Sequence, residues 1–207
     1  MNLPEELCHW YLRLNGFFPI DRFVMHRTAH RMHPSDCDVL AIRPPHVYED
    51  IGGTPEDWDP ALTDLLDFTR LVGVICEVKG GKDIERDTLF VHEWVSYAVA
   101  RLGFISREET TDVVSTLVEV PKLQLGDGLQ IAKLLVSKRS REDRRYLSFT
   151  LDHMESFIRA RMRKYQKNKQ RDRYFFDSIL IQQLILEEGR AEFEENPRLP
   201  HAMGAQR

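Results

Sequence analysis

The sequence predicts an α/β fold, a sheet flanked by helices and followed by a C-terminal helical extension. Three observations predict it. The run Val72-Gly73-Val74-Ile75-Cys76 is apolar throughout, as in a strand covered on both faces, and it closes on Glu77-Val78-Lys79 and Gly80-Gly81. A second strand, Ser35 to Ile42, carries acidic residues at alternate positions of its first half. Around these strands lie segments with apolar residues at helical spacing, the last two of them long.

Each element has its own signal. Residues 4–15 read as a helix, with Pro4 in the first turn, Glu5 and Glu6 complementing the dipole, and Gly16 ending it. Leu3, Leu7, Trp10 and Leu14 form the expected buried stripe. Residues 17–27 read as a strand interrupted near Pro19-Ile20-Asp21, and His26 to Pro34 contains a turn. Residues 35–43 are the next strand, stopped by Pro44-Pro45. Residues 46–60 form an acidic loop, expected to be solvated, and Pro60 to Leu71 a short helix. Residues 72–79 are the central strand. Thr88 to Leu102 is an amphipathic helix capped by Gly103, and Ser106 to Val118 a helix with Ser106 and Glu109 in capping-box spacing. Strands follow at Leu129 to Val136 and Tyr146 to Thr150. Long helices are expected from Asp152 to about Lys169 and from Asp172 to about Glu195. The organisation is a core over 1–150 with an acidic insert at about 45–70, a helical extension over 151–196, and a disordered tail over 197–207.

Composition bounds the function. At 207 residues, 42% hydrophobic and 30% charged, the chain describes one globular domain with an appendage. No apolar run approaches a membrane span, and the acidic, helix-opening N-terminus predicts no signal peptide. Cys8, Cys37 and Cys76 lack metal or redox spacing, and Cys37 and Cys76 alternate with the acidic residues of their strands. Buried, reduced thiols fit a cytoplasmic protein. The net charge of −4 argues against general attraction to nucleic acid, but the charge is polarised. Lys138 to Arg173 holds 13 basic and 5 acidic residues, whereas Asp177 to Glu195 holds six acidic and one basic.

The chemistry resides in the strand ends. Side chains alternate along a strand, so Glu77 and Lys79 share one face. With Asp38 they supply two carboxylates and a lysine from otherwise apolar strands. A Mg²⁺-dependent phosphodiester hydrolase needs such a set: carboxylates for a hard cation and an ammonium for the attacking water or the developing phosphate charge. Asp36 lies two residues before Asp38, on the same face, as a strand-start residue or a further ligand.

A helix with Glu, then Gly16-Phe17, a strand, the strand Asp38-Val39-Leu40-Ala41, the strand with Glu77-Val78-Lys79, then a helix: this order resembles the PD-(D/E)xK nuclease superfamily, which includes restriction endonucleases and Holliday-junction resolvases. The likeness covers about residues 1–102. It implies a restriction-endonuclease-like mixed central sheet flanked by helices. It further implies metal binding (Mg²⁺ or Mn²⁺) by Asp38, Glu77 and the backbone carbonyl of Val78, and a nucleophile-orienting role for Lys79. The family's first-helix acid corresponds to Glu6, with Glu5 as runner-up. The acidic insert departs from compact members.

Two further constellations are weighed. His26, His30 and His33 are suited in type to zinc, but a turn would not hold all three on one face without help; a polar loop near substrate or plain surface are the other readings. In the basic segment, Met154, Phe157, Ile158, Met162 and Tyr165 form a buried stripe. Arg159, Arg163, Lys164, Lys167 and Arg171 lie mostly off it, as phosphate contacts or as a solvated face. The expectation is a metal-dependent endonuclease acting on DNA in repair, restriction or defence, with a possible homodimer through the C-terminal helices and no membrane partner. The alternative is an inactive nuclease-fold subunit that binds nucleic acid or proteins.

Overall fold

The computed structural model describes residues 2–25, 35–81 and 88–195. His26, His30, His33 and the tail lie outside them. The contacts divide the chain into two units, Met1–Phe157 and Ile158–Arg207, so the division falls inside a helix, a few residues beyond the expected core boundary.

The first unit is a mixed α/β structure. Helix α1 (Leu3–Leu14) starts with a capping box between Asn2 and Glu5. Leu7 and Trp10 of the expected stripe are buried, Leu14 is half-buried and Leu3 is exposed, and Cys8, Tyr11 and Leu12 widen the buried side. Strand β1 (Phe18–Met25) runs unbroken through Pro19, which is tolerated because β1 is the edge of the sheet. It pairs antiparallel with β2 (Ser35–Arg43), and β2 antiparallel with β3 (Leu71–Lys79). β3 then pairs parallel with β5 (Leu129–Ser137). The outer side of β5 is shared by β4 (Lys122–Leu125), antiparallel, and β6 (Leu147–Thr150), parallel. β4 was not foreseen; its signal is the turn Gly126-Asp127-Gly128 between leucine-bearing segments.

Both faces of β3 and β5 are covered, which accounts for their near-continuous apolar runs. Helices α3 (His92–Leu102) and α4 (Arg107–Leu117) form a core with Leu40, Ile75, Ile131 and Leu135. Gly73 is needed here, because a Cβ would lie 2.7 Å from the Phe104 ring. α3 starts four residues later than expected: buried Phe90 has φ +54° and Val91 is the N-cap. α1 lies on the opposite face, where the Cys8 and Cys76 thiols are 3.3 Å apart. Both cysteines are free.

The insert is solvated in its first half, where Tyr48 and Ile51 are exposed, and packed around Trp58. It contains a 3₁₀ turn (Pro55–Asp57) and the short helix α2 (Pro60–Thr63), and Asp57, Trp58 and Asp59 are buried. The Asp59 carboxylate accepts from the Tyr11 hydroxyl (2.6 Å) and from the Ala61 backbone (3.0 Å), and is bonded to His153 Nε2 (2.6 Å). Burial, then Asp59, pushes the Tyr11 hydroxyl pKa up, so it stays a donor.

Lys133 is fully buried in β5, donating to the Val118 carbonyl at 2.9 Å. Burial, followed by Arg145, pulls its ammonium down to about 8 against the opposing pull of Glu119 and Asp143. Between that value and the ordinary 10.5 the unfolded chain holds more protons than the folded one, so rising pH stabilises the fold. Relative to Lys133→Met, the wild type should therefore gain up to about 3 kcal/mol between pH 8 and 10.5. Parallel melting curves that keep a constant difference over this range would show that Lys133 does not titrate there.

In the second unit, the remainder of α5 (Leu151–Lys164) is followed by α6 (Gln166–Asp172), a 3₁₀ turn (Arg173–Phe175) and α7 (Ile179–Glu195). Two helices expected to be continuous are thus three shorter ones. Gly189 of α7 is where Gln166 crosses, donating to the Ile185 carbonyl at 2.9 Å; a Cβ at Gly189 would overlap that side chain. Tyr174, Phe175 and Ile179 are exposed. Among the described residues no helix is long and apolar enough to cross a membrane.

Candidate active site

The β2–β3 ladder runs from Arg43↔Val72 to Val39↔Cys76. The next rung would set Asp38 against Glu77, and here a side chain replaces the backbone partner. Asp38 Oδ2 accepts from the Val78 backbone N–H at 2.6 Å. The carboxylate thereby satisfies a strand amide at the end of the pairing.

Lys79 joins the two acids. Its ammonium is ion-paired with Glu77 Oε1 and lies 3.9 Å from Asp38 Oδ2. The alternation that puts Glu77 and Lys79 on one face is the reason this contact forms. The Asp38 and Glu77 side chains are 13% and 15% exposed and that of Lys79 36%, so the acids are largely withdrawn from water while the lysine reaches it. The field of the pair is felt next door. Burial, then Glu77, then Asp38 push the Cys37 thiol well up, keeping it protonated.

Two carboxylates and one ammonium leave a net negative site, and every side-chain donor in it is oxygen. That suits a hard cation such as Mg²⁺, which keeps several waters and is held by one or two carboxylates. Among the described residues no group of three or more His, Cys, Asp or Glu side chains could hold a metal ion. A cation here would therefore rely on Asp38, Glu77, backbone oxygen and water.

Glu6 is placed differently. α1 packs on the face carrying Cys76, opposite the face of Glu77. Its first turn does reach the end of β3, since a Cβ on Gly80 would lie 3.0 Å from Pro4. Half-buried Glu6 lies in that same first turn.

In the second unit, two of the five basic residues on the expected phosphate-facing surface are engaged by α7. Arg159 Nη1 lies 3.0 Å from Glu187 and 3.3 Å from Glu188, and Arg163 Nη2 lies 2.7 Å from Glu188. The polarised charge of the sequence is in part an interhelical ion-pair network around a buried carboxylate. Lys164, Lys167 and Arg171 are exposed.

Two buried groups escaped the sequence reading. Asp59 has no local signal beyond its place before Pro60. Arg43 is 2% exposed and donates to the carbonyls of Asn15 (3.0 Å), Pro44 (3.2 Å) and Phe68 (3.0 Å). Its guanidinium lies 3.9 Å from the Phe68 ring centroid and 5.0 Å from that of Trp58. Burial brings its pKa down to about 10. No protein-family model, curated protein or solved structure matches the chain.

Proposed function

We propose that this protein is a divalent-metal-dependent nuclease, with a restriction-endonuclease-like fold, that hydrolyses phosphodiester bonds in DNA. The observation that carries the proposal is the meeting of Asp38, Glu77 and Lys79 at the end of two adjacent strands. The element order supports it as well: a helix, three antiparallel strands, helices, and a strand parallel to β3.

In this reading Asp38 and Glu77 hold Mg²⁺ or Mn²⁺, with the Val78 carbonyl as a further ligand. The bound ion supplies charge neutralisation for the scissile phosphate and a more acidic water. The Asp38 bond to the Val78 amide fixes one carboxylate before any ligand arrives, so little reorganisation is left for binding. Lys79 keeps a positive charge beside both acids, where it orients the attacking water and meets the charge that develops on the phosphate. Exposed Lys164, Lys167 and Arg171 add sequence-independent phosphate contacts.

The test is incubation of purified protein with plasmid, linear, single-stranded and branched DNA, and with RNA, in Mg²⁺ or Mn²⁺. Cleavage of DNA that chelator abolishes is the expected result. Binding without cleavage of any substrate would make the protein a non-catalytic nucleic-acid-binding subunit.

A further inference from the structure

Arg22 combines three unusual properties. In β1 the register pairs Asp21 with Val39 and Phe23 with Cys37, which leaves Arg22 as the residue opposite Asp38. Its φ is +47°, a left-handed conformation that costs a non-glycine residue energy and is rare inside a strand. Its side chain is exposed. Among the described residues no hydrogen bond, ion pair or ring contact engages its guanidinium.

A strained residue persists when its surroundings overdetermine it, and such residues concentrate at ligand sites. Among the described residues nothing rewards arginine here: an asparagine or glycine would adopt the same backbone more easily, and the charge has no buried partner among them. What the position offers is an exposed guanidinium opposite Asp38 in the register, at a site where Lys79 already serves both carboxylates. The fork of donors matches two phosphate oxygens.

We infer that Arg22 is the substrate-phosphate clamp of this site, holding a backbone phosphate of the nucleic acid next to Asp38. The inference rests on the nuclease reading for its chemistry, but its binding component can be read without cleavage.

The experiment compares wild type with Arg22→Gly, Arg22→Asn and Arg22→Lys by melting, by salt-dependent binding of a DNA oligonucleotide and by cleavage kinetics. Glycine and asparagine relieve the left-handed backbone. They should raise Tm by about 2–4 °C. Both should also weaken DNA binding and lower its salt slope by about 0.9, one phosphate contact. In cleavage, KM should rise about tenfold or more, with Arg22→Lys between them and wild type. A higher Tm with unchanged binding and unchanged KM overturns the inference and leaves the nuclease reading standing. A lost phosphate contact in a protein that cleaves nothing supports the clamp and overturns the nuclease reading. Asparagine keeps the test valid should glycine loosen the edge strand.

Discussion

Lys79→Ala is expected to bind Mn²⁺ more tightly than wild type and yet to cleave DNA at least 10²–10³-fold more slowly. Both halves follow from one contact. The ammonium is paired with Glu77 and lies 3.9 Å from Asp38. A cation entering the site competes with it for the same carboxylate oxygens. Removing the ammonium removes that competition, worth about 1 kcal/mol for a partly exposed pair, or about fivefold in affinity. The rate falls because the positive charge is missing where phosphate charge develops. Glu77→Ala separates the roles: it should lose both metal affinity and cleavage. Calorimetric titration with Mn²⁺ and single-turnover cleavage read the two quantities independently. If Lys79→Ala cleaved at the wild-type rate, the lysine would be a salt-bridge partner of the acids and nothing more. If Mn²⁺ affinity fell instead of rising, the ammonium would be helping to assemble the metal site.

The largest expected loss of stability is at Arg43. Arg43→Met keeps much of the side-chain volume and removes a buried charge, which by itself is favourable. Against that gain stand the carbonyls of Asn15, Pro44 and Phe68, which lose their donor. Bonds to a charged donor contribute roughly 1.5–3 kcal/mol each, and the stacking on Phe68 is lost as well. The carbonyl term wins, and Arg43→Met should destabilise the protein by about 3 kcal/mol, a fall in Tm of roughly 6–12 °C. Gly16 belongs to the same construction. It has φ +82°, and a Cβ there would lie 3.3 Å from the Arg43 Nε and 2.9 Å from Val47. A melting temperature for Arg43→Met within 2 °C of wild type would mean that water replaces the guanidinium.

The strands that carry the candidate site were legible because their signal is local. Ser35–Arg43 stands as expected, and the central strand begins one residue earlier than expected, at Leu71. A buried strand announces itself by composition, and alternation then fixes which side chains meet. The acidic insert was illegible for the converse reason. Its buried residues sit among polar neighbours, and Trp58 and Asp59 are met by Arg43, Tyr11 and His153, none of them adjacent in sequence. A linear charge count is likewise incomplete at the other end of the chain. Arg159 and Glu187 are 28 positions apart, so their segments read as separate surfaces although Arg159 and Arg163 pair with Glu187 and Glu188. The left-handed backbone at Arg22 leaves no trace in the residue types.

The Asp59 carboxylate also sets a timetable. Tyr11 lies 48 residues before it and His153 lies 94 residues after it. A ribosome adds about 5–20 residues per second, so Asp59 waits roughly 5–20 s for the second of these donors. β1 and β2 precede Asp59 and β3 is added early in that interval, but the Asp59 network still lacks its last partner. The contact that completes the Asp59 network thus cannot form until most of the chain has been made.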